Sequence, residues 1–248
     1  MKNKPISILS ILLLTVLGST LFFSFPPVFA NPACGATITT NTTLTANIGP
    51  CSGDGLIIGK SGITLNCAGH TITGTGGYDG ITLNGLTKVA VEKCKVKGFD
   101  YGFLLESSSG TRLTGNTANN NGYGFYLSSS PSNTLTGNTA KGNTDNGFLI
   151  SGSGSNHLTK NTANDNGVGF HLSGSSSNTL TGNTANNNVN YGYYDSTGSS
   201  SPGVPHWDTA NSYGTTKAKL STTGDTGTGN GLGLAGGNAN IDAAASPF

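Results

Sequence analysis

From Thr111 to Asn188 the apolar positions of this chain recur on a beat of 22 or 23 residues. Leu113, Leu135, Leu158 and Leu180 each sit in a near-identical block, Asn-Thr-Leu-Thr-Gly-Asn-Thr-Ala in its commonest form. A second block falls between them: Gly102-Phe103-Leu104-Leu105, Gly124-Phe125-Tyr126-Leu127, Gly147-Phe148-Leu149-Ile150, Gly169-Phe170-His171-Leu172 and Gly192-Tyr193-Tyr194. Apolar side chains alternate within each block, with Phe125 and Leu127 on one side and Tyr126 on the other, which is the period of a strand. Gly and Asn clusters bound every block, so helical spacing does not survive. A fixed repeat of this length marks a solenoid. Each unit has room for about three short strands, and its apolar face is buried only when coils stack. Leu113, Ala118, Phe125 and Leu127 form the expected inward set of one coil.

Asparagine sharpens this reading. Asn116, Asn138, Asn161 and Asn183 form one column, Asn121, Asn143, Asn166 and Asn188 a second, and Asn133, Asn156 and Asn178 a third. Amides stacked at one strand spacing can bond from coil to coil, and Asn tolerates the left-handed backbone of tight corners. Three columns predict a roughly triangular cross-section. The extra residue of the longer coil falls at a corner, and crossovers between parallel strands are right-handed. The predicted fold is therefore all-β, a right-handed parallel β-helix with 22–23-residue coils, about six in number.

The beat extends upstream, less regularly. Val91, Cys94, Val96, Phe103 and Leu105 each precede an equivalent residue by 22 positions, and Cys94 takes the place of an Asn. Residues 31–61 are expected to form a first coil or an N-terminal cap, residues 62–195 the β-helix, and residues 196–248 a Gly/Ser/Thr-rich flexible tail. Residues 1–30 read as a signal peptide: Lys2 and Lys4, an apolar run from Ile6 to Phe23, then Val28-Phe29-Ala30 as the cleavage signature. An uncleaved anchor is the alternative, and no later stretch is apolar enough to span a bilayer.

Export gives the four cysteines meaning. Cys34 and Cys51 bracket one short segment and are expected to pair. Cys67 and Cys94 are either a second bridge or buried small apolar residues. Only 9% of the side chains are charged, the formal charge is +1, and Arg112 is the sole arginine. With no basic stripe, nucleic acid is excluded as a partner.

The segment Leu65-Asn66-Cys67-Ala68-Gly69-His70-Thr71-Ile72-Thr73-Gly74, followed by the Asn-Thr-Leu-Thr-Gly-Asn-Thr-Ala blocks, resembles the right-handed β-helix repeat proteins of the NosD type, which group by fold with pectate lyases and carbohydrate-binding/sugar-hydrolysis repeat domains. The resemblance covers roughly residues 60–195 and implies periplasmic copper delivery. The sequence departs from that implication. Copper favours Met, Cys and His ligands, yet the only methionine is Met1, and His70, His157, His171 and His206 are scattered. No metal or other cofactor is expected.

No catalytic constellation stands out, and no catalytic residue is nominated. Paired carboxylates of the kind glycoside hydrolysis needs are absent from the regular coils, where Asp145, Asp165 and Asp195 occur singly. Charge gathers instead between Asp79 and Arg112, and Asp79 and Asp100 fall near one corner of adjacent coils. A polysaccharide lyase or hydrolase site in these early coils is one functional reading. The favoured one is a surface. Outward positions align as Thr82, Leu104, Tyr126, Leu149, His171 and Tyr194, and those before the Gly as Asp79, Tyr101, Tyr123, Asn146, Val168 and Tyr191. Tyrosine offers a ring face for a sugar and a hydroxyl for a hydrogen bond, so Tyr101, Tyr123, Tyr126, His171, Tyr191 and Tyr194 are the candidate ligand-binding residues. The partner would be a polysaccharide or cell-surface glycan, met in the periplasm, at the cell surface or outside the cell. Alternatively, the aromatic rows only reinforce the sheet, or the residues before the Gly turn inward. A third reading, a structural or ice-binding surface protein, rests on the threonine columns through Thr114 and Thr117.

Overall fold

The computed structural model describes residues 30–195 and two short strands, Lys217–Lys219 and Asn240–Asp242. The predicted signal peptide lies outside the described residues apart from Ala30, as does most of the predicted tail. The described chain is a right-handed parallel β-solenoid of about seven turns without helices, so no helix in it is long and apolar enough to cross a membrane.

Three parallel sheets run along the axis. Sheet 1 stacks the longest strands: Ala36–Ile38, Leu56–Ile58, Asp79–Asn84, Tyr101–Glu106, Tyr123–Ser128, Asn146–Ser151, Val168–Ser173 and Tyr191–Asp195. Sheet 2 carries the Leu113-type blocks, as in Arg112–Thr114 and Thr134–Thr136, and sheet 3 the Thr-Ala blocks, as in Thr117–Asn119 and Thr139–Lys141. The pairings follow the sequence repeat: Leu113 faces Leu135, Ala118 faces Ala140, and Phe103 faces Phe125. Residues 31–61 are not a separate cap. Ala36–Ile38, Thr42–Thr43 and Ile48–Cys51 join the three sheets in turn, so the solenoid has more than the six coils expected.

The core is built by repetition. Leu113, Ala118, Phe125 and Leu127 are fully buried, as are their equivalents in the neighbouring coils. Phe103, Phe125, Phe148, Phe170 and Tyr193 form one continuous stack with ring centroids 4.6, 4.7, 4.7 and 5.0 Å apart. That spacing is the strand spacing itself, and each stacked pair contributes about 0.5–1.5 kcal/mol beyond area burial. Before each of these rings stands a glycine. A Cβ on Gly147 would lie 2.8 Å from the Gly169 carbonyl oxygen and 2.9 Å from Asn166 Nδ2, so bare backbone is needed where coil, ladder and sheet converge.

The asparagine columns are buried and bonded along the axis. Asn138 Oδ1 accepts from the Asn116 N–H at 2.9 Å and from Asn116 Nδ2 at 3.1 Å, while Asn138 Nδ2 donates to Leu113 O at 2.9 Å and Asn161 Oδ1 at 3.0 Å. The second column repeats this through Asn121, Asn143, Asn166 and Asn188. The third differs. Asn133 Oδ1 accepts from the Thr111 N–H, but Asn133 Nδ2 turns to the carbonyls of Ser108 and Ser130. Those serines belong to a fourth buried column not anticipated from the sequence: Ser108, Ser130, Ser153 and Ser175. Each hydroxyl accepts from the previous coil, as Ser130 Oγ does from the Ser108 N–H at 3.0 Å. Their spacing of 22, 23 and 22 residues matches the leucine column, a signal obscured by the abundance of serine.

The corner geometry also corrects the expectation for asparagine. The columns themselves are not left-handed; the residue before each is. Gly115, Gly137 and Lys160 precede the first column, Asn120, Gly142 and Asp165 the second, Ser132, Ser155 and Ser177 the third, and Ser107, Ser129 and Gly152 the serines, all with positive φ. Each left-handed residue turns the chain and aims the next side chain inward, where a short polar group meets the unpaired amide of the coil before it. A regular coil therefore has four such corners around three sheets.

Upstream, apolar groups replace the ladders. Val89, Cys94 and Phe99 are buried one coil before Thr111, Asn116 and Asn121. Cys94 bonds to Cys67 in the preceding coil, a bridge the sequence left open, and Cys34 pairs with Cys51 as expected. The Cys67–Cys94 bridge ties coil to coil, so the irregular end is stapled where the amide ladder stops.

Candidate functional site

Sheet 1 presents the candidate residues: in strands such as Tyr123–Ser128 one partly exposed residue precedes the buried Gly-Phe pair and another follows it. The outward row reads Thr82, Leu104, Tyr126, Leu149, His171 and Tyr194 in register, as expected. The row before the glycines aligns Asp79, Tyr101 and Tyr123, then Asn146, Val168 and Tyr191. The six nominated side chains are partly exposed, yet they do not form one stripe.

They gather into two groups. Tyr101, Tyr123 and Tyr126 are mutually stacked, with centroids 5.1 Å (Tyr101–Tyr123), 5.4 Å (Tyr101–Tyr126) and 6.0 Å (Tyr123–Tyr126) apart. Leu104, which points outward beside Tyr126, is nonetheless only 7% exposed. The second group joins Tyr191 to Tyr194 at 5.2 Å and His171 to Tyr194 at 4.7 Å, with His171 Nδ1 3.4 Å from Asn146 Nδ2. Asn146, Leu149 and Val168 separate the groups. From Tyr126 to Tyr194 is three strand steps, roughly 14 Å along the axis.

The acidic corner adjoins the first group. Asp79 is the strand neighbour of Tyr101, and its N–H donates to Asp54 Oδ1 at 3.2 Å. Burial, then Asp54, Glu106 and Asp100, push the Asp79 carboxyl up to about 6. Burial also raises the Tyr101 hydroxyl, reinforced by Tyr123, Tyr126, Asp79 and Asp100, and raises that of Tyr123, reinforced by Asp145 and Tyr126. The aromatic surface and the charged early coils, which carried two different functional readings from sequence, thus adjoin. Sequence reasoning missed Asp54 because it stands in an irregular coil, 25 residues before Asp79. The Thr82 hydroxyl, in the same outward row, is buried without a hydrogen-bond partner among the described residues.

The threonine rows expected on the other sheets are in register too, Thr114 with Thr136 and Thr117 with Thr139.

Parallel three-sheet coils with inward phenylalanine and asparagine stacks define a right-handed parallel β-helix protein. Among solved structures, a mutant of the periplasmic alginate epimerase AlgG is similar at 20% identity with a TM-score of 0.51, over 66% of this chain and 38% of the epimerase. The catalytic domain of a GH87 α-1,3-glucanase in complex with nigerose matches at 20% identity (TM-score 0.46, 77% of this chain and 41% of that one). Pectate lyase Pel9A matches at 16% identity (TM-score 0.49, 82% and 70%). This chain thus spans well under half the length of the epimerase. No curated protein matches the sequence significantly. The family model described as "Periplasmic copper-binding protein (NosD)" matches residues 28–230, and the chain belongs to that family.

The donor set does not fit the copper that the family description implies. All four cysteines are consumed in disulfides, and the sole methionine is Met1. Among the described residues no three or more His, Cys, Asp or Glu side chains converge as metal ligands, and His206 lies outside them. His70 stands in a corner, His157 on sheet 2 and His171 on sheet 1. The paired cysteines do fit an oxidising, exported setting.

Proposed function

We propose that the outer face of sheet 1 binds an extended glycan in the periplasm, at the cell surface or outside the cell. One observation carries this reading: Tyr101, Tyr123 and Tyr126 form a partly exposed stack of three rings on a rigid parallel sheet. The rigid sheet lowers the ordering cost of binding, the ring faces suit the apolar faces of sugars, and the hydroxyls supply hydrogen bonds. The His171–Tyr191–Tyr194 group offers a second contact further along the same chain of sugars. The shared fold with an alginate epimerase supports a polysaccharide partner.

Affinity electrophoresis through gels cast with candidate polysaccharides tests the reading. The protein is expected to be retarded, and Tyr101→Ala with Tyr126→Ala to abolish the retardation while thermal unfolding stays cooperative. Unaltered retardation in that variant shows that the rings serve only the sheet.

A second reading, cleavage or epimerisation of the same glycan, is favoured by Asp79. A carboxyl pushed up to about 6 beside a tyrosine is suited to proton transfer near neutrality. Product analysis of candidate polysaccharides with the protein and with Asp79→Asn separates binding from turnover: products made by the first and lost in the second establish catalysis.

A further inference from the structure

The near-zero formal charge of this chain conceals a segregation. No lysine or arginine stands on any described strand of sheet 1, whereas Asp79 and Glu106 do. Asp54, Asp100 and Asp145 occupy the corner that leads into those strands. Sheet 3 is the opposite over residues 31–195: its strands there carry Lys95, Lys97 and Lys141 and no acid. On sheet 2 the strand charges are Glu92 and Arg112.

The acids lie close enough to the tyrosine platform to act on it. Asp79 and Asp100 are felt at the Tyr101 hydroxyl and Asp145 at the Tyr123 hydroxyl, and every charged or ionisable group acting on Tyr101, Tyr123 and Asp79 is a carboxyl or another tyrosine. Asp100 and Asp145 are exposed, so both are free to meet a ligand. A polyuronate laid on these rings would bring its carboxylates against this rim, with no cation on the sheet to offset them. A polymer with ammonium groups would find both a stacking surface and counter-charges.

Resting on the glycan-binding reading above, we infer that the Tyr101–Tyr123–Tyr126 platform takes a polysaccharide bearing protonated amino groups and rejects polyuronates. The stack supplies affinity for the sugar ring, and Asp79, Asp100, Glu106 and Asp145 select the charge. Selection by a charged rim of this kind acts chiefly on partner choice.

Hexamers of β-1,4-linked glucosamine and of its N-acetylated form share a backbone and differ in charge, so they isolate the effect. Titration calorimetry at pH 6 and low salt is expected to show the glucosamine hexamer binding about tenfold more tightly, the sum of two or three exposed ion pairs. That advantage should shrink at 0.5 M salt, where the screening length falls to roughly 4 Å. Asp100→Asn with Asp145→Asn should bring the two hexamers close together, and Tyr101→Ala with Tyr126→Ala should remove both. Equal binding of the hexamers by the unaltered protein overturns the charge selection and leaves the glycan reading standing. Polygalacturonate binding that Tyr101→Ala with Tyr126→Ala abolishes also overturns it. Absence of binding to either hexamer and to every polysaccharide gel sinks the glycan reading, and this inference with it.

Discussion

Removing one ladder amide tests whether the buried asparagines hold the solenoid together. Asn138 is fully buried and its side chain serves four groups: the Asn116 N–H, Asn116 Nδ2, Leu113 O and Asn161 Oδ1. In Asn138→Ala the Asn116 N–H and side-chain amide lose their acceptor and Leu113 O loses a donor. Each buried group left unsatisfied costs about 1–3 kcal/mol. A water entering the vacated space relieves part of this, leaving an expected loss of about 3–5 kcal/mol. Asn138→Asp discriminates further. It keeps an acceptor for the Asn116 N–H but turns an oxygen toward Leu113 O and Asn161 Oδ1 and buries a charge. It should therefore be worse than alanine at pH 7 and recover toward pH 4, where a protonated carboxyl can donate. Urea unfolding gives the global loss, and hydrogen exchange at the Asn116 amide reports the local one, since a solenoid opens coil by coil. Thr114→Ala, on the exposed side of the neighbouring coil, is the control and should stay within about 0.5 kcal/mol. A loss below about 1 kcal/mol in Asn138→Ala, or an aspartate milder than alanine at pH 7, refutes the reasoning.

Two further outcomes follow from the irregular end. Cys67→Ala with Cys94→Ala opens a bridge spanning 27 residues and should cost about 3.5 kcal/mol by loop entropy, read from urea midpoints against the unaltered protein under non-reducing conditions. Asp79→Asn should stabilise the fold in a pH-dependent way. A carboxyl held up to about 6 keeps its proton longer in the folded chain than in the unfolded one, so its contribution is complete below about pH 4 and is lost as pH rises through 6. Asn cannot ionise, so the variant should match the original near pH 4 and exceed it by about 1 kcal/mol at pH 7.5, discounting for partial exposure. Melting temperatures at the two pH values check this, and a difference of the same size at both would contradict it.

Much of the architecture was legible in the sequence because a solenoid writes its geometry as a period. Each residue of a coil meets its counterpart one repeat away, so the leucine, phenylalanine and asparagine columns could be read as contacts before any coordinates. The inward set, the parallel stacking and the register of the two candidate rows on sheet 1 follow from that alone. What the period did not reveal lies where the chain departs from it or where composition hides it. The Ser108 column was camouflaged by serine abundance, and the first coil and the Cys67–Cys94 bridge fall in segments of uneven length.

The candidate site shows the same division from the other side. The sequence aligned Tyr101 with Tyr123 and set Tyr126 in a neighbouring row, since each row repeats at the coil period. Strict alternation would put Tyr123 and Tyr126, three residues apart, on opposite faces, and the backbone at the intervening glycine brings them to one. The sequence could not say that these three rings stack while the His171, Tyr191 and Tyr194 group stands apart, because ring packing depends on rotamers and on what fills the rows between. Nor could it place Asp54 beside Asp79. The coil between them differs in length from its neighbours, so counting residues loses the register that backbone hydrogen bonds restore. The repeat determined which residues share a row, because each meets its counterpart one coil away; the backbone at the glycines and the packing of the rings decided which rows meet.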